Sequence, residues 1–395
     1  MSKARVSFDD DSEDDEMIAL TPEIISSGLS LLQPSSDGLS NVFTKLVINN
    51  QNIEDISCLA SYRHLQHIDL SHNAIEDITP LNSRLIVNLI SLNFSFNKIT
   101  DPTLKLHESL QVVNFSHNLI KILPDNAFSH PLLSVIDISH NQIESLNAIS
   151  SSSLPLTSLN ASNNMLTKCD GMNPVVKTVD LSHNLITDLS GLSVCASLES
   201  IDLSNNQISV FSTLPHLPHL TTIDFSSNQV QKCSDLTPLI EYRSIRHIIL
   251  HPNPFSTTVE EPEQLRNEML SWLQGNRFET IDRKRVREEE METANERKLE
   301  REEEERQRKE EEERLRLEEE ERLREEEEER KRLEEEKRLQ EEEEERLRKE
   351  AEEEEARLEA ERIAEEEALT RREMEAAEEN NEEEDDEGEE EEDDE

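Results

Sequence analysis

Four histidines recur at one phase of a repeated pattern: His72, His117, His140 and His183, each directly before an asparagine. Imidazoles held in register are ligands for transition metals and carriers of protons near neutral pH. Only His117 and His140 fall in adjacent copies, so the column lacks the three or four convergent ligands that a metal site needs. A second column holds acids and amides: Asp69, Asn93, Asn114, Asp137, Asn160, Asp180, Asp202 and Asp224. Five carboxylates in a line would meet basic groups on a partner, and they would equally keep an exposed surface soluble. No Ser-His-Asp or Cys-His set, phosphate loop or carboxylate pair has a definite spacing, so no enzyme chemistry, cofactor or small-molecule substrate is expected.

These columns exist because the chain repeats. The stretch Leu65-Gln66-His67-Ile68-Asp69-Leu70-Ser71-His72-Asn73-Ala74-Ile75 follows the template L-x-x-L-x-L-x-x-N-x-I. Copies start at Phe43, Leu65, Leu89, Leu110, Leu133, Leu156, Val176, Leu198, Leu220 and Ile245. A spacing in the low twenties with this pattern is the leucine-rich-repeat signature. In each copy the L-x-L residues point to one side of a short strand, and successive strands stack into a parallel sheet. The turn that follows would bury unpaired backbone groups. An asparagine there offers both donors and an acceptor to neighbouring turns. Asn73, Asn97, Asn118, Asn141, Asn164, Asn184, Asn206, Asn228 and Asn253 form the predicted structural ladder, with Gln51 in the atypical first copy. The Asp69–Asp224 column then lies on the inner face of the sheet, which is roughly 45 Å long for ten strands. A surface of that size suits an extended peptide, a helix or a protein.

Composition divides the chain. Its net charge is −50 over 395 residues, and from Ile281 onward 26 basic residues face 59 acids. One folded region therefore adjoins a charged, non-globular tail. The acid excess argues against nucleic acid or an anionic membrane as partner and favours a basic protein, core histones among them. The start, Met1-Ser2-Lys3-Ala4-Arg5, runs into acids, which predicts no signal peptide, and no apolar run is long enough to span a bilayer. Cys169 and Cys233 fall where other copies place Ile56, Ile78 or Leu146, so they read as core filler in a reducing compartment.

Taken in order, residues 1–16 form a disordered acidic N-terminus. Arg5-Val6-Ser7-Phe8 within it, followed by Asp9–Asp11, fits the R-V-x-F pattern of proteins that dock type-one protein phosphatase, with Arg5, Val6 and Phe8 as the contacts. Ser12 precedes Glu13-Asp14-Asp15 and suits an acid-directed kinase. Residues 17–42 cap the solenoid, opened by Thr21-Pro22-Glu23. The ten repeats occupy 43–255, with an irregularity at Pro102. Residues 256–284 form the C-terminal cap, with Trp272 expected to be buried. Residues 285–379 are Glu- and Arg-rich without Pro, Gly or aromatics. Pairs such as Glu318–Arg322, Glu320–Arg324, Glu334–Arg338 and Glu342–Arg346 support an isolated helix. The leucines keep no heptad, so a solvated single α-helix of about 140 Å is favoured over a coiled coil or a disordered tail. Lys284-Arg285-Val286-Arg287 resembles a short nuclear-import motif at the junction. Residues 380–395 are a disordered acidic tail.

The expected fold class is thus an α/β leucine-rich-repeat solenoid, a horseshoe with its parallel sheet on the inner face, two caps, and a long charged helix. The repeats resemble the intracellular 22-residue class. Leu20-Thr21, Gly28-Leu29-Ser30-Leu31-Leu32, Gly38-Leu39, Ser61-Tyr62-Arg63-His64-Leu65, Pro80-Leu81, Asn253-Pro254 and Ile281-Asp282 further resemble the radial-spoke leucine-rich-repeat proteins of motile cilia. The charged tail departs from that pattern. The resemblance implies a non-enzymatic structural subunit of the axoneme in a cilium or flagellum, with other spoke proteins as partners and no catalytic residues. A phosphatase-targeting subunit and a histone-binding acidic protein, the latter nuclear, are the alternatives.

Overall fold

The computed structural model describes residues 18–35, 38–125, 127–150, 154–257, 261–275 and 278–382. Strand β1 (Ile18–Ala19) pairs in parallel with β4 (Ile53–Asp55) in a small separate sheet. Helix α1 (Pro22–Gly28) begins where Thr21 accepts the N–H of Ile24 at 3.4 Å and Pro22 supplies a preset φ. Its Ile25 is fully buried over the open end of the core. Strands β2 (Leu29–Pro34) and β3 (Asn41–Val47) form an antiparallel hairpin.

One three-residue strand per repeat follows: β5 (His67–Asp69), β6 (Ser91–Asn93), β7 (Val112–Asn114), β8 (Val135–Asp137), β9 (Ser158–Asn160), β10 (Thr178–Asp180), β11 (Ser200–Asp202), β12 (Thr222–Asp224) and β13 (His247–Ile249). From β3 to β13 every neighbour is parallel and in register. The antiparallel hairpin of β14 (Thr280–Ile281) and β15 (Lys284–Arg285) closes the far end of a thirteen-stranded sheet. Strands this short have no stability alone; each adds a layer such as Leu65, Ile68, Leu70 and Ile75 to one continuous buried core. Return segments use 3-10 turns, for example Ser57–Ser61, Thr79–Asn82 and Ser190–Val194. Gly171 has a φ of +76°, and an added Cβ would meet the backbone of Asn147 at 2.4 Å, so the preceding repeat packs on bare backbone there.

Two details, at Phe43 and Trp272, depart from expectation, and the irregularity expected at Pro102 is present. Phe43 is 46% exposed and Thr44 takes the core position instead. β3 is extended for seven residues, so strict alternation with buried Leu46 carries Phe43 to the inner face. In the third repeat Pro102 is itself buried and no 3-10 turn forms; Asp101 Oδ1 accepts the Thr103 N–H at 2.9 Å in an Asx-turn. Trp272 is half-buried, because one ring face is covered by the Arg301 guanidinium, 3.5 Å from the ring centroid.

Helix α2 (Pro262–Trp272) and the first turns of α3 (Glu288–Glu382) complete the C-terminal end. Arg266 ties them: it donates to Glu290 at 3.0 Å and to the carbonyl of Ile281 at 2.8 Å. Arg301 donates to both Oγ and O of Ser271, and Ala294 is fully buried. The compact repeat unit runs to Glu302, and Glu303–Glu395 is a second unit. Within that second unit the leucines from Leu315 to Leu369 are more than half exposed. Glu320–Arg324 closes as an ion pair at 3.7 Å, whereas Arg322, Arg338 and Arg346 turn to Glu326, Glu342 and Glu350. Glutamates stand four residues to either side of these arginines, so either pairing is open to them.

Candidate partner-binding surface

Each turn after a strand is built by two side chains. The ladder asparagine works across copies: Asn141 Nδ2 donates to the carbonyls of Phe115, Ile138 and Ser139, each at 3.0 Å, while its Oδ1 accepts the N–H of Ile120 at 3.0 Å. Asn97, Asn118, Asn164, Asn184, Asn206 and Asn228 repeat the arrangement. At the ends, Asn73 Oδ1 accepts from Gln51 and Ile53, and Asn253 Oδ1 accepts from Val230. Asp282 takes up the backbone N–H groups of Leu250 and His251, at 2.7 and 2.9 Å.

The inner-face column supplies the second side chain. Asp69, Asn93, Asn114, Asp137, Asn160, Asp180, Asp202 and Asp224 each use Oδ1 to accept the N–H of the serine two residues on. One oxygen of every carboxylate is therefore part of the fold; Asp69, Asp137, Asp180 and Asp202 are half-buried and can present the other to a partner, whereas Asp224 is buried. Asp180, Asp202 and Asp224 stand in register on three bonded strands. Burial, opposed by the bonds from Ser204 and reinforced by the two neighbouring carboxylates, raises the Asp202 pKa. The companion column is small and uncharged through Ser91, Val112, Val135, Ser158, Thr178, Ser200 and Thr222. Lys45 and His67 stand at one end and His247 at the other.

The histidine column occupies the rim beside this face. His72, His117, His140 and His183 all have φ between +52° and +56°, as do Phe96 and Asn163 in the intervening copies and Asn205 in the next. Phe96 fills the gap between His72 and His117. The four rings of His72, Phe96, His117 and His140 stack at centroid distances of 4.1, 3.9 and 3.8 Å. His183 meets Asn205 at 3.3 Å. Partial burial and the adjacent His140 lower the His117 pKa against the pull of Asp137. Stacked rings do not converge on a point, and among the described residues no three His, Cys, Asp or Glu side chains could hold a metal ion. Phe96 could have been found in the sequence by aligning the column residue by residue.

Sequence reasoning missed one pair altogether. His107 and His130 are buried on the return side of adjacent repeats, with ring centroids 5.9 Å apart. His130 Nδ1 accepts the backbone N–H of His107 at 3.2 Å. Burial, then the neighbouring His107, brings the His130 pKa to about 4. Burial also pushes the thiols of Cys195 and Cys233 up to about 12. Arg5, Val6 and Phe8 lie outside the described residues.

Parallel strands in register, an interlocking asparagine ladder and caps at both ends define a leucine-rich-repeat solenoid, a class whose extended faces bind other proteins. Two leucine-rich-repeat family models match, one at residues 173–310 and the other at 63–78 and 87–105. The chain is homologous to leucine-rich repeat-containing protein 23: it is 36% identical to the cattle protein and 33% to the human one, each over 101 residues. That stretch is 26% of this chain and 29% of each relative, so under a third of the relatives' length is matched. Among solved structures, an internalin of Listeria monocytogenes (inlF) is similar at 17% identity and a TM-score of 0.41, covering 62% of this chain and 77% of the internalin. No described helix is long and apolar enough to cross a membrane.

Proposed function

We propose that this chain is a non-enzymatic scaffold of the axonemal radial spoke in motile cilia or flagella, binding protein partners through the inner face of its sheet. The observation that carries the reading is the homology to leucine-rich repeat-containing protein 23, taken with the N-terminal cap residues that resemble radial-spoke proteins. The inner face supports the binding role: its half-buried carboxylates and small companion residues offer an acidic track to a basic segment. The second unit, rich in glutamate and arginine, is a strut or a contact for a basic spoke subunit. The acidic surface would be repelled by the acidic tails of microtubules, so the partner is another axonemal protein.

Tagging the chain in a flagellated cell tests the assignment. An axonemal signal that persists after detergent extraction is expected. A uniformly cytosolic or nuclear signal would overturn it. Replacing Asp137, Asp180 and Asp202 together by Asn keeps the Oδ1 turn bonds while removing charge; weaker axonemal retention is expected if the inner face docks.

A further inference from the structure

We infer that the outer edge of β2 joins two copies of this chain, strand to strand, about a two-fold axis. β2 is the last strand of the sheet, and among the described residues no strand pairs with its outer side. Natural edge strands are guarded by a charge, a proline, a bulge, short length or a covering element. Leu29-Ser30-Leu31-Leu32-Gln33-Pro34 has no charge, and its proline comes last. Leu31 has a φ of +59°, and its carbonyl accepts the Thr44 hydroxyl at 3.0 Å. That kink breaks the alternation, so Leu31 and Leu32 are both exposed, by 47% and 56%. Across the hairpin from Leu32 stands Phe43, itself half exposed. An apolar patch thus borders an uncharged, unpaired strand edge, interrupted only at Leu31.

Charge selects the occupant. A basic partner would be drawn to the carboxylates of the inner face, and β2 has none to offer it. An uncharged apolar edge is complementary to another of the same kind, which a second copy provides. A two-fold contact uses one surface twice. It also sets the two β2 strands antiparallel, the direction in which β2 already pairs with β3. Six residues span only about 20 Å, so the contact belongs to the small, reversible class below about 1,200 Å². Two chains of net charge −50 repel at distance. Salt screens that repulsion and should strengthen this dimer, the opposite of its effect on a contact between unlike charges.

Sedimentation of the full chain at rising concentration, in low and in high salt, tests the inference. The expected mass rises from 45.6 kDa towards twice that value, and further in high salt. Leu32→Lys, at an exposed position, should raise the dissociation constant at least about tenfold by placing a charge on each copy's edge. An unchanged thermal melt would show that the fold survives. Leu323→Lys on α3 should leave the dimer unaltered. A monomer at every concentration and salt overturns the inference. So does a dimer that survives Leu32→Lys, and one lost in Leu323→Lys would place the contact on the helix instead. None of these outcomes bears on axonemal location, so the proposed function stands or falls separately.

Discussion

The side chain that holds most of the turn together is the ladder asparagine, and its cost on removal depends on place. Asn141 is buried and serves three carbonyls and one N–H. Asn141→Ala strands those groups without water and should cost about 2–4 kcal/mol. Asn73→Ala, at the half-exposed first rung, should cost distinctly less; urea midpoints of the two variants decide. A second residue-scale expectation concerns His130. Its pKa is about 4 in the fold against an ordinary value of 6.5, so the fold keeps the neutral imidazole. Its contribution is therefore complete above about pH 6.5 and is lost as the pH falls towards 4, by roughly 2–3 kcal/mol. Carboxylates titrate over the same range, so the comparison is with His130→Phe. That variant should lose less stability than the native chain between pH 6.5 and 4; parallel losses would show that His130 does not matter.

At the scale of elements, the junction between α2 and α3 is the most exposed to test. Arg301 covers Trp272 and bonds Ser271, and Trp272 is the sole tryptophan of the chain. Arg301→Ala uncovers the indole, so its emission should shift to longer wavelength and stability should fall by about 1–2 kcal/mol. Arg301→Lys retains charge but not the planar stack, and should recover only part of the loss. An emission spectrum identical to the native one would mean that the first turns of α3 are not docked on the cap. The sheet's two ends differ in the same terms: β14 and β15 lie between α2 and α3 in the chain and are held by Arg266 of α2, which donates to the carbonyls of Ile281, Lys284 and Arg285, whereas β2 ends in an apolar edge.

For the whole molecule, the second unit poses the question of order. Its leucines are exposed and its charges pair within the helix, so its helicity should not depend on association. Each pair contributes only about 0.2–0.5 kcal/mol, but many act along one segment. The far-UV helical signal of the full chain should therefore stay constant on dilution and weaken modestly with salt. A signal that falls on dilution would point to a coiled coil. The dimer through β2 makes no such demand, because it adds strand and no helix.

The repeat, its ladder and the polarity of each strand are legible in the sequence alone. A core residue recurring with constant phase leaves one stacking arrangement that buries it, and Asn73 to Asn253 mark where every turn must satisfy its backbone. The absence of a heptad likewise pointed to a solitary helix, since supercoiling needs a seam. What local pattern could not supply is the backbone dihedral and the company each residue keeps. The positive φ before the ladder asparagines from Asn73 to Asn228 sets His72, Phe96, His117 and His140 face to face, although the sequence places them more than twenty residues apart. A template that required an apolar residue at Phe43 could not foresee that an extended hairpin strand would turn it outward. His107 and His130 look like polar loop residues until adjacent repeats close over them. Periodicity encodes which residues share a face, because it depends on the chain alone. Burial, stacking and the open edge of β2 depend on which chain segments lie next to one another, and that is settled only when the repeats pack.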